Sequence, residues 1–147
     1  MELITNYLQV SDHTQDYEIN ESLNWWKQSG IDVTSFCYAR GYFNDDIKAK
    51  VKKAGYKTAR TVKIGYLNPA TDPYETNTTL HIGYDRSEYG MDWLSYAKLK
   101  VTEALQLQEN GESVIYRIFG HSEELHRYQQ WDNFGLFLRY LNENMST

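Results

Sequence analysis

His13, His81, His121 and His126 are the imidazoles this chain can bring to chemistry, and their spacing is the first constraint on what that chemistry is. No two stand at the i,i+4 spacing that sets a pair of metal ligands on one helix face, and the single cysteine, Cys37, offers no thiolate set. Spacing therefore assigns no metal ligands. A Ser-His-Asp hydrolase has no Gly-x-Ser-x-Gly elbow to sit on, and no glycine-rich phosphate loop occurs. His121 stands apart from the other three because it follows Gly120 at the end of the apolar run Ser113–Phe119. An imidazole at a strand end beside a small residue can face a cleft and pass a proton near neutral pH. The plainer reading is that it caps the helix that follows or bonds a backbone carbonyl.

The other unusual supply is aromatic: 13 Tyr and 4 Trp. Tyr and Trp join a flat apolar face to a polar tip, which suits sugar clefts and protein interfaces alike. Trp25 and Trp26 are neighbours on a helical stretch and point in different directions, so packing is expected, with Trp26 buried and Trp25 partly exposed.

The elements that must position these groups follow from periodicity. Ile19, Leu23 and Trp26 recur at helical spacing between Asp16 and Ser29, and Gly30 stops the run. Val33 to Tyr38 predicts a strand, in which Cys37 is expected to be packed rather than reactive. Asn44 before Asp45 and Asp46 predicts a capped helix with Ile47, Val51 and Ala54 inward and Gly55 at its end. Thr58 to Val62 predicts a strand, 66–77 a long loop, and Thr78 to Tyr84 a third strand. A helix over 91–109, a strand over 113–119 and a last helix over 128–142, burying Phe134, Phe137, Leu138 and Leu141, complete the pattern. Strand and helix alternate, which predicts an α/β domain with a largely parallel sheet over 1–147.

In such sheets ligands bind at the carboxyl ends of the strands. Those ends are Tyr38 to Tyr42, Arg60 to Ile64, His81 to Asp85 and Gly120 to Ser122, and they are expected to lie side by side. Together they offer His121, Tyr38, Arg40, Tyr42, Arg60 and Ser122 to a polyhydroxylated ligand. At 147 residues and 41% apolar content the chain can bury a core without a disulfide or a metal. A formal charge of -5 without a basic stripe argues against a duplex nucleic-acid partner. No run approaches the length of a membrane span, and the first residues show no signal-peptide pattern, so the expected location is the cytoplasm or a larger assembly.

Two ordered blocks of sequence carry a family resemblance. Phe36-Cys-Tyr-Ala-Arg-Gly-Tyr-Phe-Asn-Asp45 followed by Ala54-Gly-Tyr-Lys-Thr-Ala-Arg-Thr-Val62 resembles polysaccharide deacetylases. Ile115-Tyr-Arg-Ile-Phe-Gly-His-Ser-Glu-Glu-Leu125, with Trp131-Asp-Asn-Phe134, is similar to the branch of that family whose last strand ends in Gly-His-Ser. The resemblance implies a partial (β/α) barrel. It also implies removal of acetyl groups from glycans by a divalent metal, such as zinc, held by one Asp and two His. On this match His121 takes the position of the acid that protonates the leaving group, while Arg60 and the loop from Tyr38 to Tyr42 line the acetyl-sugar cleft. The family's Asp-Asp motif belongs to a first strand that this chain lacks. Its His-x-x-x-His pair falls near Met1 and Thr5, and its Pro-Tyr pair is Ala39-Arg40 here.

The expectation is thus a shortened, metal-free relative with no cofactor, serving as a glycan-binding or structural module. The alternative is a carbohydrate deacetylase completed by a partner chain, with His121 as general acid. Loss of the first strands would leave an open edge. A second copy, another protein or the segment from Leu3 to Val10 would then cover it, and a homo-oligomer is the simplest form.

Overall fold

The computed structural model describes residues 10–145. The sequence positions discussed for Met1, Thr5 and the segment from Leu3 up to residue 9 lie outside them. Nine regular elements run in the order α1 (Asp12–Gln28), β1 (Ser35–Cys37), α2 (Asp45–Ala54), β2 (Thr58–Arg60), β3 (Leu80–His81), α3 (Trp93–Glu109), β4 (Ile118–Phe119), α4 (Ser122–Arg127) and α5 (Trp131–Met145) among the described residues. The protein is mixed α/β and mostly helical. Its strands form two separate parallel pairs, β1 with β2 and β3 with β4, and no barrel closes among the described residues.

The described residues gather into two compact units, 10–62 with 70–77, and 63–69 with 78–145. Each is built on one strand-helix-strand crossover, because parallel neighbours need a long connection and a helix supplies it. In the first unit, α2 connects β1 to β2. Asn44 caps α2 by accepting from the Ile47 amide at 2.9 Å, Asp45 and Asp46 sit at its positive end, and Gly55 closes it at φ 107. Ile47 and Val51 from α2 pack with Ile19 and Leu23 from α1 and with Phe36, Tyr38, Tyr56 and Ala59. Lys48 ties α2 to the loop before β3 through ion pairs with Asp72 and Glu75.

Two packing expectations fail here. The buried stripe of α1 steps from Gln15 to Ile19 to Leu23 and then stops, so Trp26 is 37% exposed and Trp25 more so, the two rings meeting edge to face at 4.6 Å. Cys37 is exposed rather than packed, because β1 alternates and turns Phe36 inward.

In the second unit α3 connects β3 to β4, with Leu80 opposite Ile118 and His81 opposite Phe119. Trp93, Ala97, Val101 and Phe137 form its core with Leu80, Ile82, Tyr89 and Leu125. The strand expected over 113–119 shrinks to two residues. Its earlier part is held by irregular pairing instead, as where the Ile115 amide donates to Leu67 O at 2.7 Å and the Thr79 amide to Arg117 O at 2.8 Å. Leu138, expected inside, is 47% exposed, since Phe137 takes the inward position on α5. No described helix is long and apolar enough to cross a membrane.

Candidate functional site

The register of β3 with β4 decides what the second unit can present. His81 lies opposite Phe119, and its ring stacks on that of Phe119 at 4.4 Å between centroids. Two residues beyond Phe119 the chain reaches His121, whose ring stands edge-on to His81 at 6.0 Å. In the first turn of α4, Glu124 places Oε2 2.7 Å from His81 Nε2. Gly120 allows this close passage, for a Cβ there would lie 2.3 Å from Ile82 Cγ1. Gly83 has φ +77, and a Cβ on it would meet Leu125 of α4 at 2.6 Å, so α4 rests directly on the turn after β3.

His81 is held from both sides of its backbone. Its amide donates to the Tyr89 hydroxyl at 2.9 Å, and that hydroxyl donates to the His81 carbonyl at 3.0 Å. Burial pushes the Tyr89 phenol up to about 12, so it stays protonated and able to donate. Burial likewise lowers the His81 imidazole below its ordinary value, against the opposing pull of the Glu124 carboxylate; Arg86 and His121 lower it further. A neutral ring whose Nε2–H donates to the Glu124 carboxylate leaves Nδ1 as an acceptor, and this buried Nδ1 has no hydrogen-bond partner.

Around this cluster lies a cleft of about 560 Å³, lined by His81, Tyr84, Asp85, Arg86, Ser87, Glu88 and Glu124. Arg86 and Glu88 pair at 2.8 Å and neutralise one another on its wall, the guanidinium bond holding the Glu88 carboxyl down at about 2. A second hollow of about 330 Å³ shares Tyr84 and Asp85 and adds Gly83, Tyr128 and Gln130. Tyr84 and Tyr128 are both exposed, with ring centroids 5.5 Å apart. Asp85 accepts from the Trp93 amide through Oδ1, and Gln130 accepts from the Trp93 indole, so the polar floor is anchored to the start of α3.

The residues expected at the site divide between the two units. His121 and Ser122 lie in the second, both exposed, at the junction of β4 and α4. His121 occupies the cap position of α4 but makes no side-chain cap bond, so its ring is not spent in the way the plainer reading supposed. Tyr38, Arg40, Tyr42 and Arg60 lie in the first unit. Tyr38 is fully buried, stacks on Phe43 at 4.5 Å and donates its hydroxyl to Tyr74 O at 2.8 Å. Arg40 sits at φ 51 in a short turn, and Tyr42 follows it, exposed. Arg60 donates to Thr61 O at 3.0 Å and to Cys37 Sγ at 2.7 Å.

The sequence pattern places His81 to Asp85 at a strand end but does not single out His81, Glu124, Tyr84 or Tyr128. Glu124 had a signal in the acidic run after His121; Tyr84 and Tyr128 had none beyond composition. The positions near Met1 and Thr5, where the deacetylase resemblance sets its histidine pair, lie outside the described residues, and the grouping that the described residues do bring together is His81, His121 and Glu124. Comparison with family models, with curated proteins and with solved structures finds no match.

Proposed function

We propose that the chain is a carbohydrate-binding module of polysaccharide deacetylase-like descent, working without that family's Asp and His-x-x-x-His centre. The observation that carries the reading is the exposed pair Tyr84 and Tyr128 beside the clefts after β3. Sugar rings present apolar C–H faces and a rim of hydroxyls. Aromatic faces meet the first, and Asp85, Gln130, Ser87 and Glu124 supply hydrogen-bonding groups for the second. The site lies at the carboxyl end of a parallel pair, where ligands of α/β folds bind. The partial barrel, supported by the two strand-helix-strand crossovers, and an oligomer covering its open edge belong to the same reading.

A deacetylase completed by a partner chain is the second reading, favoured by the exposed His121 ring beside the His81–Glu124 pair. One titration addresses both. An acetylated chito-oligosaccharide is added to the purified protein, heat of binding and released acetate being followed together. Saturable binding without acetate is the expected result, with Tyr84→Ala weakening it about threefold to tenfold, the loss of one aromatic contact of about 0.5–1.5 kcal/mol. Absent binding, or binding indifferent to Tyr84→Ala, would overturn the reading, and acetate release would favour the second.

A further inference from the structure

His81, His121 and Glu124 each offer one ligand atom, and these atoms lie within 4.8 Å of one another. We propose that they bind a divalent transition-metal cation of the zinc class at the floor of the cleft. This ligand set is different from the one the deacetylase resemblance implies, and the proposal stands independently of glycan binding.

Donor chemistry selects the ion class. Two imidazoles and one carboxylate form a nitrogen-rich, borderline set that suits zinc and its neighbours, whereas magnesium and calcium want oxygen. Three protein ligands leave a fourth position for water or a ligand arriving through the cleft, and Glu88, paired with Arg86 on the wall, offsets part of the guanidinium's repulsion of the cation.

The site is also organised in a way a chance cluster is not. His81 is the anchor: it is buried, stacked on Phe119 and clamped through its backbone by Tyr89. Such fixing of a ligand by its surroundings is what metal sites require. His121 and Glu124 are the adjustable members, the first exposed and the second half-buried. Tetrahedral zinc with bonds of about 2.0–2.1 Å sets its ligand atoms about 3.3 Å apart. The His81–Glu124 contact of 2.7 Å must therefore open slightly, and the His121 nitrogen must close in from within 4.8 Å. Both movements fall on side chains with room to turn.

Proton bookkeeping is consistent with binding. The cation takes the place of the proton between His81 Nε2 and Glu124, and that single ring proton moves to Nδ1, so the imidazole stays neutral and no proton is lost. Since Nδ1 has no partner as an acceptor, turning it into a donor forfeits no hydrogen bond there.

The test is titration of the metal-stripped full chain with Zn²⁺ by calorimetry, and with Co²⁺ by visible absorption, in the absence of any sugar. About one equivalent of Zn²⁺ is expected to bind, with the Co²⁺ spectrum reporting tetrahedral coordination. His121→Ala and Glu124→Gln should each weaken Zn²⁺ binding at least about tenfold, by removing one of three protein ligands. Both positions lie outside the buried core, and circular dichroism of each variant checks that it folds. No saturable Zn²⁺ binding, or binding of unchanged affinity in both folded variants, would overturn the proposal.

Discussion

Tyr89 carries a single hydroxyl that satisfies both the amide and the carbonyl of His81 within a buried site. Removing it leaves two buried backbone groups unpaired, and each unpaired group costs about 1–3 kcal/mol. Tyr89→Phe is thus expected to lower the stability of the folded protein by at least about 1 kcal/mol in urea unfolding. A midpoint equal to that of the parent would show that the phenol does not hold the strand end. Nothing in the sequence marks Tyr89 for this part. It lies eight residues from His81 in a turn, and only folding reveals that its hydroxyl comes back to the backbone. The same holds for His81, His121 and Glu124. Spacing rules detect ligand pairs on one helix, whereas these three meet across a parallel strand pair, where sequence distance carries no information.

The helix α2 was the most legible element, because its start, stripe and stop are all local. Asn44, the acids after it, the inward Ile47 and Val51, and Gly55 each act within a turn of the position they specify. Asn44→Ala should destabilise the protein by about 1 kcal/mol, the usual worth of such a cap, while Asn44→Ser should lose much less. Equal stability of all three proteins would show that α2 is held by packing alone. Strands were less legible. The runs 33–38, 78–84 and 113–119 have the composition of strands, yet only Ser35–Cys37, Leu80–His81 and Ile118–Phe119 join ladders. A ladder extends only as far as its partner runs alongside, and the partner is chosen by tertiary packing. The short helix α4 was not foreseen, since Ser122–Arg127 is too brief to show an apolar period and is fixed by Leu125 resting on Gly83.

At the scale of the whole molecule, both units bury tyrosines, and this gives the chain a pH limit. Burial holds Tyr38 and Tyr116 well above the ordinary value of 10.0 and raises Tyr89 to about 12. Below pH 10 these phenols are neutral whether the chain is folded or not, and they add no pH dependence. Above it the unfolded chain ionises them while the folded protein resists, so stability is lost as pH rises from 10 through the folded values. Urea midpoints are expected to fall steeply above pH 10, with part of the tyrosinate absorbance appearing only on unfolding. A folded protein in which all 13 tyrosines titrate near pH 10 would contradict this. The sequence by itself determined the mixed α/β class, the order of helices and strands apart from α4, and the caps and stripe of α2, because those depend on neighbours along the chain. Tertiary structure alone decided that the strands pair two by two, that Trp26 and Cys37 face outward while Tyr38 is enclosed, and that His81, His121 and Glu124 converge. Each of these is a choice of partner between distant segments, settled by register and packing rather than by any local pattern of residues.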